Sequence, residues 1–124
     1  MTTKIKKGRV VKHTRGDTLR TKVRLFLDEE QTEEYIPVEG DVIRFALKHP
    51  KLKKDDQGYD EYDDPEPLIE KKIPIDTCIL HLEPSDTKHL GFGEYEYDVE
   101  ITYADGTVDT FITAAPFELT KEVH

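Results

Sequence analysis

The chain has 124 residues, enough for one domain with a sizeable core, and its 27 acidic against 18 basic residues give a net charge of −9. That balance disfavours binding to a phosphate backbone; Lys4, Lys6, Lys7 and Arg9 are a local exception, read as a solvated leading segment. Cys78 stands alone, which rules out an intrachain disulfide and a multi-thiolate metal site.

Ile5–His13 is predicted to form a first edge strand, weakened at Gly8. Arg15-Gly16-Asp17 reads as a turn, because glycine followed by aspartate initiates turns readily. The same three residues spell the integrin tripeptide, a match short enough to arise by chance. Thr18–Leu27 then alternates, with Leu19, Thr21, Val23, Leu25 and Leu27 on one face and Arg20, Lys22 and Arg24 on the other. Asp28–Glu34 is polar and loop-like. Tyr35–Val38 is a short extended piece, confined by Pro37 to an edge or a strand entry.

Glu39-Gly40-Asp41 turns the chain into Val42–Lys48, whose Ile43, Phe45 and Leu47 share an apolar face. His49–Pro67 is crowded with acids and holds Gly58 and three prolines, so a mobile acidic loop is expected at 49–67. Leu68–Ile73 returns to extended structure, and Pro74-Ile75-Asp76 turns it. Thr77–Leu82 follows with Cys78, Leu80 and Leu82 inward; Cys78 reads as a small core filler. Ser85–Leu90 is expected to make one helical turn capped by Ser85 or Asp86.

Tyr95–Tyr103 is the clearest strand. Tyr95, Tyr97, Val99, Ile101 and Tyr103 point one way, and Glu96, Asp98, Glu100 and Thr102 the other. Asp105-Gly106 predicts a two-residue type I′ hairpin pairing Ala104 with Thr107. Tyr103 then faces Val108, Ile101 faces Thr110 and Val99 faces Ile112, so the apolar faces coincide. In this register Phe111 lies opposite Glu100, away from the core, and must pack under a loop or form a possible interface with another subunit. The acidic row Glu96, Asp98 and Glu100 can pair with Arg44 and Lys48 if Val42–Lys48 is the neighbouring strand. The fold class is therefore all-β: seven to nine short strands, almost no helical periodicity, and a single domain over 1–124.

No catalytic pattern emerges. The histidines His13, His49, His81, His89 and His124 lack the spacing that holds zinc on one face. No serine sits in a nucleophile elbow, and no glycine-rich segment matches a phosphate cradle. An EF-hand centred on Gly58 fails, because its first ligand would be Lys53; a looser calcium site from Asp60, Asp63 and Asp64 is the alternative. The residues point to a protein that is not an enzyme and has no cofactor, metal or small-molecule substrate. They also carry no apolar signal-peptide core at the start and no run long enough to span a bilayer, so a soluble protein with no membrane contact is expected.

Two resemblances add to this. The run from Asp86 through Gly93, Tyr95, Tyr97 and Val99 resembles the entry to strand F of immunoglobulin-like domains. The likeness implies an immunoglobulin-like antiparallel β-sandwich, with Tyr95 as the corner tyrosine whose hydroxyl ties the preceding turn and Tyr97 in the place of the disulfide cysteine. More broadly, several stretches resemble small phage and prophage structural proteins, such as the N-terminal region of baseplate upper proteins. They are Arg15–Thr18, Val38–Phe45, Leu68–Pro74, Asp86-Thr87, Tyr95–Glu100 and the Asp105-Gly106 hairpin. That likeness implies a virion module of a tail or baseplate, located in the virion or the bacterial cytoplasm. Its partners would be other virion subunits or further copies of itself. The competing class is a carbohydrate- or calcium-binding β-sandwich module. A melting temperature that does not move across a calcium titration counts against the metal version.

Overall fold

Seven strands and one helical turn form among the residues that the computed structural model describes, 10–28, 30–50 and 66–121. In order they are β1 (Val11–Thr14), β2 (Leu19–Lys22), β3 (Val42–Lys48), β4 (Ile69–Ile73), β5 (Ile79–Leu82), α1 (Pro84–Thr87), β6 (Gly93–Thr102) and β7 (Val108–Thr120). The chain is all-β. Most of the expected acidic loop, with Asp60, Asp63 and Asp64, lies outside the described residues, as do Ile5–Arg9 of the first expected strand and His124. No helix among the described residues is long and apolar enough to cross a membrane.

Five strands form one sheet in the order β1-β7-β6-β3-β4, and β2 pairs with β5 in a second. The larger sheet is mixed rather than wholly antiparallel, because β1 runs parallel to β7, with Val11 beside Phe117 and His13 beside Leu119. After β1 the chain turns at Arg15–Asp17, where Gly16 takes φ +85°, and passes into the other sheet instead of folding back on its neighbour. β2 stops at Lys22, short of the predicted Leu27. Leu25 O instead accepts the Tyr35 N–H at 2.7 Å, and Leu27 N–H donates to Glu33 O at 2.8 Å.

Both sheets feed one core. Leu80 and Leu82 of β5 meet Phe45, Leu47, Tyr97, Val99, Ile101, Phe117 and Leu119 of the larger sheet in a single buried cluster. The predicted core residues Leu19 and Val23 are half-buried at its margin, whereas Leu25, beyond β2, is buried. Each large apolar side chain fully buried here contributes about 1.5–3 kcal/mol relative to exposure. Cys78 sits just before β5 with φ +55° and is half-buried against the same cluster; burial pushes its thiol pKa up. The helical turn begins one step before the predicted caps: Glu83 N–H donates to Asp86 Oδ2 at 2.7 Å, so Asp86 caps from within the turn.

β6 is the central strand of the arrangement. Its burial alternates as the sequence requires, with Tyr95, Tyr97, Val99 and Ile101 inward. On its outer face Lys48 Nζ meets Asp98 at 3.0 Å and Arg44 approaches Glu100 at 4.0 Å, which follows from β3 being the neighbour. Such half-exposed pairs add at most about 1 kcal/mol each.

The hairpin to β7 differs from the expected one. Tyr103 pairs with Thr107 across a three-residue loop of Ala104, Asp105 and Gly106, and Gly106 N–H donates to Tyr103 O at 2.8 Å. Only Gly106 takes a left-handed φ, +93°; a type I′ turn would ask the same of Asp105, which instead uses its carboxylate to accept the Thr107 N–H at 2.9 Å. The tip is thus one residue out of the predicted register: Ile101 faces Asp109 and Glu100 faces Thr110. A bulge restores Val99 to Ile112, and a second lies between Val99 and Tyr97, where left-handed Ala114 (φ +51°) gives its N–H to Asp98 Oδ1 at 2.7 Å.

The first bulge corrects the placement of Phe111. With two β7 residues set against one on β6, Phe111 and Ile112 are both buried. Phe111 is only 4% exposed and packs against the Tyr35 ring, 5.7 Å between centroids, so of its two expected placements it takes the one beneath a loop of its own chain.

Tyr95 Oη donates to Gly91 O at 2.7 Å, the bond that a corner tyrosine makes across the entry to its strand. Tyr95→Phe removes only that donor. We expect it to lower stability by about 0.5–1.5 kcal/mol, read as a shift of the urea midpoint without a change of slope.

Candidate functional site

The residues singled out from sequence do not converge on one site. Tyr95 lies at the start of β6 with its ring stacked on His49 at 5.4 Å. Tyr97 lies in the core, 5.6 Å from the Phe45 ring and 6.2 Å from that of Phe117. Asp105 and Gly106 lie at the far tip of the hairpin. They form the spine of a strand pair.

The histidines are dispersed. His13 is buried beside Phe117 with Nε2 3.0 Å from Asp17 O; His81 Nε2 lies 3.0 Å from Glu83 Oε1; His89 is exposed. Among the described residues no three His, Cys, Asp or Glu side chains gather as a metal site. The Arg15-Gly16-Asp17 turn is tied inward. Arg15 donates to Leu90 O at 3.1 Å and stacks over Phe92 at 4.1 Å, and Gly16 N–H donates to the fully buried Thr87 hydroxyl at 2.9 Å.

Two features escape sequence reasoning. The first is a polar cluster beneath the hairpin. The Glu39–Asp41 turn buries the Asp41 carboxylate, which accepts the Tyr35 hydroxyl at 2.6 Å and the Val38 N–H at 2.9 Å. Tyr35 sits edge-on to Tyr103 at 5.9 Å, and Tyr103 Oη lies 3.5 Å from Asp109. The hydrogen bond to Asp41, helped by burial and by the Asp41 charge, pushes the Tyr35 phenol up to about 12. Tyr103 is raised too, mainly by burial.

The second is a cleft at the seam between the sheets, on the side of β1 and β2. It encloses about 270 Å³ and is lined by Val11, Val23, Phe45, Leu80, Tyr97 and Ile112. Lys22, Arg24 and Gln31 also line it. It lies where β2 ends, with Val23 at the margin of the core rather than within it.

Comparisons with protein-family models, curated proteins and solved structures found no match.

The Tyr35–Asp41 pair makes a pH prediction. An unfolded tyrosine ionises near 10, and folded Tyr35 holds its proton to about 12. Between those values the folded chain binds more protons, so the stability from this pair is complete below pH 10 and is lost as pH rises towards 12. A phenolate absorbance titration of the native protein should show a late-ionising tyrosine that Tyr35→Phe removes. Asp41→Asn should return it towards the ordinary range.

Proposed function

We propose that the chain is an immunoglobulin-like sandwich module of a phage or prophage particle, a tail or baseplate component. It acts without catalysis, through contacts with other virion subunits or with further copies of itself. The observation that carries the fold assignment is the strand arrangement taken together with the Tyr95–Gly91 bond. Immunoglobulin-like domains place strands C, F and G in one sheet and B and E in the other, with a tyrosine tying the entry to F. Here β3, β6 and β7 share one sheet, β2 and β5 form the other, and Tyr95 ties the entry to β6.

The virion role rests on the resemblance of the Val38–Phe45, Leu68–Pro74 and Tyr95–Glu100 stretches to phage structural proteins. A module that repeats in a particle must associate. Sedimentation over a wide concentration range, together with the identity of the neighbouring genes, tests this. Self-association or binding to a neighbouring tail protein is the expected result. A strict monomer encoded away from any tail or capsid gene would overturn it.

A further inference from the structure

We propose that the cleft between β1 and β2 binds a medium-chain aliphatic carboxylate, its tail against the inter-sheet core and its head on the Lys22 side of β2. The volume, about 270 Å³, is at the small end of the range of ligand sites, which suits a single short chain rather than a bulky ring system. The lining is of two kinds. Phe45, Leu80, Tyr97 and Ile112 are core side chains from both sheets, so a tail entering here would leave water for apolar side chains on one wall of the cleft, with Thr21, Lys22, Arg24 and Gln31 supplying its polar part. Lys22 and Arg24 are exposed cations on a chain of net charge −9.

The charges at the opening favour an anion. Arg24 is held by Glu34, whose two oxygens it meets at 3.2 and 2.9 Å. Lys22 makes no ion pair among the described residues, although its charge reaches the Glu34 carboxylate and helps lower that group's pKa. The backbone adds donors. Val23 N–H bonds to Cys78 O at 2.8 Å, so in the antiparallel ladder the alternate residues Arg20 and Lys22 turn their N–H groups away from β5. A carboxylate beside Lys22 can therefore accept from an ammonium and from a main-chain amide. A docked protein strand fits less well, because Arg20, Lys22 and Arg24 along one edge are the kind of charge row that keeps strands from pairing.

Titration calorimetry of the whole chain with decanoate tests the site, with decyltrimethylammonium as the tail carrying the opposite charge. Decanoate is expected to bind at one site with Kd of about 0.1–1 mM, and the cation far more weakly. Lys22→Gln, at an exposed position, should weaken decanoate about fivefold. Val23→Phe should fill the cleft and abolish binding. If that variant does not fold, methyl NMR of the native chain decides: decanoate should shift Val11, Val23 and Ile112 and leave the exposed Ile36 and Val108 unmoved. The proposal is overturned by the absence of decanoate binding below its micelle threshold, by equal binding of the cation, by an unchanged affinity in Lys22→Gln, or by shifts centred on Ile36 and Val108.

Discussion

Phe45→Ala is expected to remove about 3–5 kcal/mol of stability. Phe45 sits at the middle of β3, held on one side by β4 and on the other by β6. Its ring is 1% exposed and lies 5.6 Å from that of Tyr97 and 6.3 Å from that of Phe117. Those three rings join the two central strands to β7. A strand paired on both edges cannot move inward to fill the space left by a missing ring, so the full cavity cost remains. A domain of this size has about 5–15 kcal/mol in total, which places the variant near its unfolding threshold. Phe45→Leu keeps most of the volume and should cost about 1 kcal/mol. Urea denaturation of the two variants measures the difference. A loss below about 1 kcal/mol for the alanine variant would mean that the ring is not part of the packed core.

How much of this was legible depends on how far each residue's neighbours were local. The alternation in Val42–Lys48 and Tyr95–Tyr103 places β3 and β6 correctly, because a strand buried on one face must repeat every second residue. With β3 as the neighbour of β6, the expected charge pairing forms across their outer faces, Lys48 against Asp98 and Arg44 against Glu100. The failures come where one backbone choice shifts many side chains. A hairpin loop of three residues instead of two, with a bulge at Val99, turns Phe111 from an outward aromatic into a core residue. Nothing in a simple alternation signals that extra residue; the hint lies in Phe111-Ile112, two large apolar residues side by side, which a regular strand would send to opposite faces. The parallel pairing of β1 with β7 joins segments through tertiary packing, and no local pattern encodes it. The cleft was invisible for a further reason: it lies where β2 ends, and strand ends are the least determined feature of a period-two pattern.

Gly40→Ala should be the second most damaging change, at about 2–3 kcal/mol, although the side chain it adds is a single methyl on an exposed turn. Two penalties combine. Gly40 has φ +99°, a conformation that an L-residue adopts only at a cost of about 1–3 kcal/mol. A Cβ there would also lie 2.8 Å from the Ala104 Cβ, far inside van der Waals contact. Against them stands the reduced freedom of the unfolded chain, worth about 0.4–1 kcal/mol to the alanine variant. The two penalties separate experimentally, because only the overlap depends on Ala104. In the double variant Gly40→Ala with Ala104→Gly the overlap is gone and the strain stays. The pair should therefore be non-additive, recovering about 1 kcal/mol over the sum of the single changes. Gly40 also sets the approach of Asp41 to Tyr35, so the same substitution should be visible at a distance from the methyl. With the turn displaced, the 2.6 Å bond from the Tyr35 hydroxyl weakens, and the phenol should ionise earlier than its native value of about 12. Full stability in Gly40→Ala with an unchanged tyrosine titration would show that the turn yields freely. The close contact between the Gly40 turn and the β6–β7 hairpin would then not be what holds Asp41 under Tyr35.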